Sequence, residues 1–343
     1  MATLPAHMPA AVYRGPRSMA VEDRPLPELG ANDVLVAVAH CGVCGSDLHT
    51  VMEGWARPGS IGGHEWAGRV AAVGPAVSRW SVGDEVVGGA AHCGSCRFCL
   101  AGRPSLCTQR ALAGTAEWQG AFAAYVRESE DVLHRVPPGL PLRAAALAEP
   151  LAVALHGISR SGARAGLRVL VTGAGPIGAL VTAALVATGI TDLTVSEPFE
   201  RRRELASRLG AATTTPDTLT RPEHPGALVD APYDVVVECS GSREAMEAGL
   251  AQLDRAGTLV LVGAGIRAPR FDPVRILLNE LVVTGAYEYD ATGWEDALAL
   301  LSSGRLPVDD LVEPGDVPLE GLLPALNGLA AGDIAGKVLV APT

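Results

Sequence analysis

The sequence predicts an α/β protein built from two units, and three observations carry that expectation. Its 343 residues suit about two domains of ordinary size. Short valine-rich runs broken by Gly, Pro and Asp fill the first 150 residues. From Arg168 onward, apolar strands alternate with helical stretches.

In the first unit the runs Val34–Val38, Arg69–Val73 and Asp84–Gly88 read as strands separated by irregular loop. The texture changes near Leu151. A strand over Arg168–Thr172 then leads into a helix over Gly178–Thr188, a strand over Asp192–Ser196 and a helix over Glu200–Leu209. Further strands are expected at Val235–Glu238, Thr258–Val262 and Leu281–Thr284, with a helix at Glu244–Leu253 between the first two. Strands apolar on both faces and alternating with helices imply parallel βαβ units. The last fifty residues, punctuated by Pro and Gly, end in a final strand over Lys337–Ala341.

Composition excludes several classes. Although 48% of the residues are hydrophobic, no apolar run reaches the ~20 residues that a membrane span needs. A net charge of −11, with one basic run (Arg201-Arg202-Arg203) beside acidic residues, does not suit a nucleic-acid backbone. Met1–His7 shows neither a basic leader nor an apolar core, so a cytoplasmic protein is expected. In a reducing compartment, seven cysteines with four inside fifteen residues point to metal rather than disulfides.

Those four, Cys93, Cys96, Cys99 and Cys107, lie in a loop rich in Gly and Ser. Four thiolates at this spacing can close a tetrahedral shell around zinc, and a closed shell is structural. A second set is mixed: Cys44 in Cys41-Gly-Val-Cys44-Gly-Ser46-Asp47-Leu-His49, His64 and Glu65 in Gly63-His64-Glu65, and Glu149 far downstream. Fewer than four fixed ligands leave a position for water or substrate, the layout of a catalytic zinc acting as a Lewis acid. Taken singly, these residues also have plain structural readings: a core thiol, a satisfied histidine, a charge at a helix start. Cys41 and Cys239 have no partner set and read as core.

The stretch Gly173-Ala-Gly175-Pro176-Ile177-Gly178 follows a strand and opens a helix. Gly173 allows a tight turn, Gly175 lets a pyrophosphate approach the backbone, and Gly178 permits close helix–strand packing. The helix N-terminus adds free N–H groups and positive dipole. Nineteen positions after Gly178, Glu197 closes the next strand, where a carboxylate would bind a ribose diol and repel a 2′-phosphate. That favours NAD, while Arg202 one helical turn on keeps NADP as the alternative.

The order of these motifs resembles the zinc-dependent medium-chain dehydrogenase/reductase family, in particular its sorbitol, butanediol and threonine dehydrogenase-like branch. The resemblance covers the whole chain, and Gly63-His64-Glu65-x2-Gly68-x5-Gly74-x2-Val77 follows the family signature. It implies a GroES-like catalytic domain plus a Rossmann doubly wound parallel sheet, divided as residues 1–157, 158–288 and a return at 289–343. It also implies hydride transfer between a secondary alcohol and NAD, giving the ketone. By motif, Cys44 and His64 are catalytic-zinc ligands, with Glu65 or Glu149 as the third and the choice open. Asp47 would hold the His64 ring. Ser46 would take the proton of the alcohol, and His49 would be the outer end of the relay. Relatives of this kind are usually homodimers or homotetramers.

The segment between His49 and His64, with Glu53, Trp55 and Arg57, is expected to shape the substrate pocket, together with Trp66, Trp118 and residues near Tyr287. Glu53 or Arg57 would suit a polyol, a cyclitol or an amino alcohol. The site region is expected to be free of lysine, which argues against a Schiff base. Three rivals remain. One is a simple alcohol or aldehyde dehydrogenase-reductase using NADP. Another is a zinc-free reductase, which predicts neither metal set. The last is a non-catalytic NAD- and zinc-binding protein, which predicts loss of Ser46, Cys44 or the carboxylates.

Overall fold

The computed structural model describes residues 4–89, 92–109 and 119–342. The chain opens with an antiparallel hairpin of β1 (His7–Gly15) and β2 (Ser18–Pro25). A second sheet follows from β3 (Asp33–Gly42), β4 (Glu65–Val73), β5 (Glu85–Gly88), β6 (Tyr125–Ser129) and β7 (Leu133–Arg135). Between β3 and β4 lies the helix Gly45–Met52, and the long helix Ala148–Ser161 leads out of this lobe. Ala10, Ala11, Val12 and Tyr13 of β1 are buried with Val36 of β3, Val126 of β6 and the nearby Phe122, and together they form one core.

The second lobe is a parallel sheet of β8 (Val169–Thr172), β9 (Leu193–Ser196), β10 (Ala212–Thr214), β11 (Tyr233–Glu238), β12 (Leu253–Leu261) and β13 (Val282–Gly285). Their order is β10-β9-β8-β11-β12-β13, the doubly wound arrangement. The order in which successive strands are added reverses between the parallel neighbours β8 and β11, so the crevice beyond their carboxyl ends is where a ligand belongs. The strands expected here all form. The helix expected at Gly178 starts earlier, at Pro176, because proline at the first helical position needs no N–H partner.

The return is brief. After the helix Leu322–Ala331, β14 (Leu339–Val340) pairs antiparallel with β3, setting Leu339 against Gly42 and Val340 against Cys41. The strand expected over Lys337–Ala341 shrinks to these two residues, yet it fastens the end of the chain to the first lobe. Among the described residues, no helix is long and apolar enough to cross a membrane.

Candidate active site

A cavity of about 640 Å³ lies between the lobes. Cys44, Ser46, His49, His64, Glu65 and Glu149 line one side, and Ile177, Ser240, Ala264 and Tyr287 come from the parallel-sheet side. The crevice of the doubly wound sheet therefore opens onto the cysteine–histidine–carboxylate set.

Local structure explains how that set converges. Cys44 caps the helix Gly45–Met52, and its N–H donates to Asp47 Oδ2 at 2.9 Å. His64 and Glu65 enter at the head of β4, whose Glu65 pairs with Gly42 of β3. Ligand atoms of Cys44, His64 and Glu65 thus lie within 4.8 Å of one another. Glu149, in the first turn of its helix, lines the same cavity without joining that trio. Burial alone would lower the pKa of His64, but Cys44, Asp47 and Glu149 together push it well above the usual imidazole range. Burial likewise lifts the Glu149 carboxyl to about 8. A soft thiol, an imidazole and carboxylates packed this closely form an anionic donor set suited to zinc.

The expectation of a site without lysine fails. Lys337 is the only lysine in the chain. Its Nζ donates to both carboxylate oxygens of Glu65 at 2.7 Å and to the carbonyl of Val43 at 3.2 Å. The β14–β3 pairing delivers it there across 272 residues of sequence. Gly42 lies beneath the pair, where a Cβ would collide with the Glu65 carboxylate. Burial would lower the Lys337 pKa, but Glu65, Cys44 and Glu149 raise it above its ordinary value. An ammonium held this way is no nucleophile, so the objection to a Schiff base stands for a different reason.

Ser46 lines the cavity on the first turn of its helix, and His49 follows one turn on. His49 Nε2 lies 3.1 Å from the carbonyl of Ala264, across the cleft, and Nδ1 lies 3.2 Å from Glu53 Oε1. The Trp55 ring stacks on the imidazole with centroids 5.1 Å apart. Among the described residues, the cavity wall does not include Glu53, Trp55 or Arg57, in contrast to the expectation. The helix ends at Met52 and turns this segment outward, leaving Trp55 62% exposed. Trp66 is buried in the first lobe rather than in the pocket. Trp118 lies outside the described residues. Tyr287 does line the cavity, and so do its neighbours Glu288 and Tyr289, as expected for this stretch.

On the cofactor side, Gly173 has φ +91°, and a Cβ there would come within 2.7–2.9 Å of Ser240. The glycine turn thus packs against the loop after β11. That loop is fastened by Glu238, fully buried, which accepts from Ser240 N at 2.7 Å, Ser240 Oγ at 2.5 Å and Gly241 N at 3.0 Å. Burial raises its carboxyl to about 7. Buried Glu197 accepts from Ala174 N at 2.7 Å and from Phe199 N at 3.0 Å, which places its carboxylate against the glycine turn. Arg202 donates to the carbonyls of Leu329 and Ile334 and sits over the Phe199 ring, linking the lobes.

The four-cysteine loop closes on itself. Cys93 Sγ and Cys99 Sγ lie 3.9 Å apart, and Cys96 Sγ and Cys99 Sγ 3.5 Å. Zinc–sulfur bonds of about 2.3 Å in a tetrahedron require sulfurs about 3.8 Å apart. Backbone N–H groups of Cys93 and Gln109 point at Cys107 Sγ, and that of Cys96 points at Cys93 Sγ, as suits thiolates. None of the seven cysteines is in a disulfide.

A doubly wound sheet facing a metal-ligand set across a cleft defines a two-lobed dehydrogenase with a nucleotide cofactor. Comparison with known proteins agrees. Residues 30–138 match the alcohol dehydrogenase GroES-like domain and residues 176–303 the zinc-binding dehydrogenase domain. The chain is 32% identical to sorbitol dehydrogenase of Bacillus subtilis over 90% of each chain. It superposes with a TM-score of 0.87 on a putative zinc-binding dehydrogenase of Sinorhizobium meliloti bound to NADP, at 30% identity, covering 98% of this chain and 100% of that one. It superposes with a TM-score of 0.86 on 2R,3R-butanediol dehydrogenase of Bacillus subtilis, at 28% identity, covering 98% and 100%. The chain belongs to the zinc-dependent medium-chain alcohol and polyol dehydrogenases, and it is an oxidoreductase acting on CH–OH groups.

Proposed function

We infer that this enzyme interconverts a polar secondary alcohol (a polyol, cyclitol or amino alcohol) and its ketone, with NAD rather than NADP. One observation carries the reading: Cys44, His64 and Glu65 converge within 4.8 Å on the wall of a cavity that meets the carboxyl end of the parallel sheet. Cys44 and His64, with Glu65 or Glu149, hold the catalytic zinc, and Cys93, Cys96, Cys99 and Cys107 hold a structural one. When bound, zinc supplies a Lewis acid for the substrate oxygen and the nicotinamide supplies the hydride acceptor. The chain's own residues do the rest. Asp47 braces the cysteine turn and adds negative charge beside His64. Ser46 takes the proton of the alcohol, and His49 carries it towards solvent. Lys337 donates to both carboxylate oxygens of Glu65 and balances its charge.

The glycine turn Gly173–Gly178, including Pro176 and Ile177, cradles the pyrophosphate. Glu197 favours NAD because a carboxylate at that turn repels a 2′-phosphate, although the Sinorhizobium meliloti neighbour carries NADP. Similarity to the sorbitol and butanediol enzymes supports a polyhydroxylated substrate. Residues 1–157 and 289–343 form the catalytic domain and 158–288 the cofactor domain, a division supported by the return of β14 to β3. The protein acts in the cytoplasm, consistent with free cysteines. It assembles as a homodimer or homotetramer. Edge strand β13, with Val282 49% exposed beside exposed Val274, Leu277 and Leu278, supports pairing with a second copy.

Metal content and turnover test the reading together. The wild type should carry two zinc ions and reduce NAD with a polyol, cyclitol or amino alcohol. Cys44→Ala should lose one zinc and activity while keeping the other. Two zinc ions and full activity in that variant refute the catalytic assignment.

A further inference from the structure

His49 lines the cavity, yet none of its polar contacts is with another residue of the metal set. Both ring nitrogens face acceptors: a peptide carbonyl from the cofactor lobe on Nε2 and a carboxylate from its own helix end on Nδ1. A carbonyl oxygen can only accept, and an ionised carboxylate can only accept. A ring that satisfies both therefore carries two N–H groups and a positive charge. A neutral ring has one N–H and donates to only one of the two. Trp55 stacks on one face of the ring, leaving it little rotational freedom.

We propose that Glu53 is a positioning residue of the proton relay, holding the Nδ1–H of His49 so that Nε2 faces the cleft as the proton acceptor. The inference rests on the dehydrogenase reading above. A neutral imidazole has one N–H, and the hydrogen bond made by one nitrogen decides the state of the other. With Glu53 accepting from Nδ1, the lone pair is left on Nε2, on the side of the ring that faces the Ala264 carbonyl across the cleft. The alcohol proton passed on by Ser46 then forms the Nε2–H bond, and the carbonyl of Ala264 accepts from it. Release breaks that same bond and gives the proton to water, which restores the neutral ring. Glu53 orients the ring and is not itself a stop for the proton, the part played by the carboxylate of a serine-protease triad. An ordinary i,i+4 surface pair would leave the histidine ring free on its other sides, whereas this ring is held on both nitrogens and one face. Because Ala264 belongs to the cofactor lobe, the charged ring is fully partnered only while the lobes are together.

The Glu53 side chain is 39% exposed, so its replacement leaves the core intact. Glu53→Ala should lower kcat for alcohol oxidation by about tenfold, with KM for NAD within about twofold. Added imidazole should restore most of the loss, because it replaces a misoriented base. In cofactor-free protein, ¹⁵N spectra should find the neutral ring protonated on Nδ1 in the wild type and on Nε2 in Glu53→Ala. A kcat within twofold of wild type overturns the proposal. So does a loss that imidazole does not restore, with the tautomer unchanged. If His49→Gln also leaves kcat unchanged, the relay fails, while the zinc content of Cys44→Ala still decides the enzyme reading separately.

Discussion

Replacing Lys337 with methionine keeps the buried stem and removes only the ammonium. That ammonium makes two 2.7 Å bonds to Glu65 and one of 3.2 Å to Val43, with Lys337 2% and Glu65 0% exposed. An exposed ion pair contributes about 0–1 kcal/mol. Removing one partner of a buried pair instead costs about 3–5 kcal/mol, because the remaining charge is left without compensation. With a urea m-value above ~3 kcal/mol/M for a chain of this size, the unfolding midpoint should fall by about 1 M. The measurement is urea unfolding followed by tryptophan fluorescence, on protein treated with a mild chelator and again with zinc restored. Zinc returns positive charge beside Glu65, so the deficit should shrink in the loaded protein. Adding Glu65→Leu to Lys337→Met should recover most of the loss, since the uncompensated charge is then gone. A chelated Lys337→Met within ~1 kcal/mol of wild type would refute the reasoning. A double variant no more stable than the single one would do the same.

Further tests address the cofactor lobe. Glu238 keeps its proton up to about pH 7 in the folded state, against a usual carboxyl value of 4.5. Between those two values the unfolded chain has released the proton that the folded chain retains. Stability therefore falls as pH rises through this window, by about 3 kcal/mol in all. Glu238→Gln should flatten that decline when melting is compared from pH 4.5 to 8, and an unchanged slope would show that Glu238 is not its source. Gly173→Ala combines φ +91° with a collision against Ser240. It should cost at least about 2 kcal/mol and raise KM for NAD, and a well-folded variant with normal KM would contradict the packing described. Glu197→Ala should narrow the preference for NAD over NADP in paired kinetic assays, and an unaltered ratio would remove Glu197 from cofactor selection.

Legibility in the sequence followed chain distance. The four cysteines span fifteen residues, and their sulfurs meet as that spacing implies. The glycine turn and Glu197 are separated by one βα unit, a distance fixed by the fold, and the two are hydrogen-bonded. Cys44, His64 and Glu65 sit on either side of one strand crossing, and their residue types carried the chemistry. The direction taken by Glu53, Trp55 and Arg57 was not legible, because it depends on where the helix Gly45–Met52 stops. Lys337 was the clearest miss. Its place is decided by a two-residue pairing between strands almost three hundred positions apart, and local periodicity carries no trace of that. Its rarity was the available signal: a chain that uses arginine for 26 of its 27 basic residues placed its one lysine in the core.

The pairing of β14 with β3 also sets an order of assembly. β3, β4 and the helix Gly45–Met52 leave the ribosome early, carrying Cys44, His64 and Glu65. The strand that completes their sheet emerges roughly three hundred residues later, after the whole parallel-sheet lobe. At synthesis rates of about 5–20 residues per second, that gap lasts from about fifteen seconds to a minute. For that time the nascent first lobe lacks the partner of Cys41 and Gly42 at the end of β3, and a carboxylate awaits its counter-charge. The metal pocket is thus among the first parts of the molecule to be made and among the last to be finished.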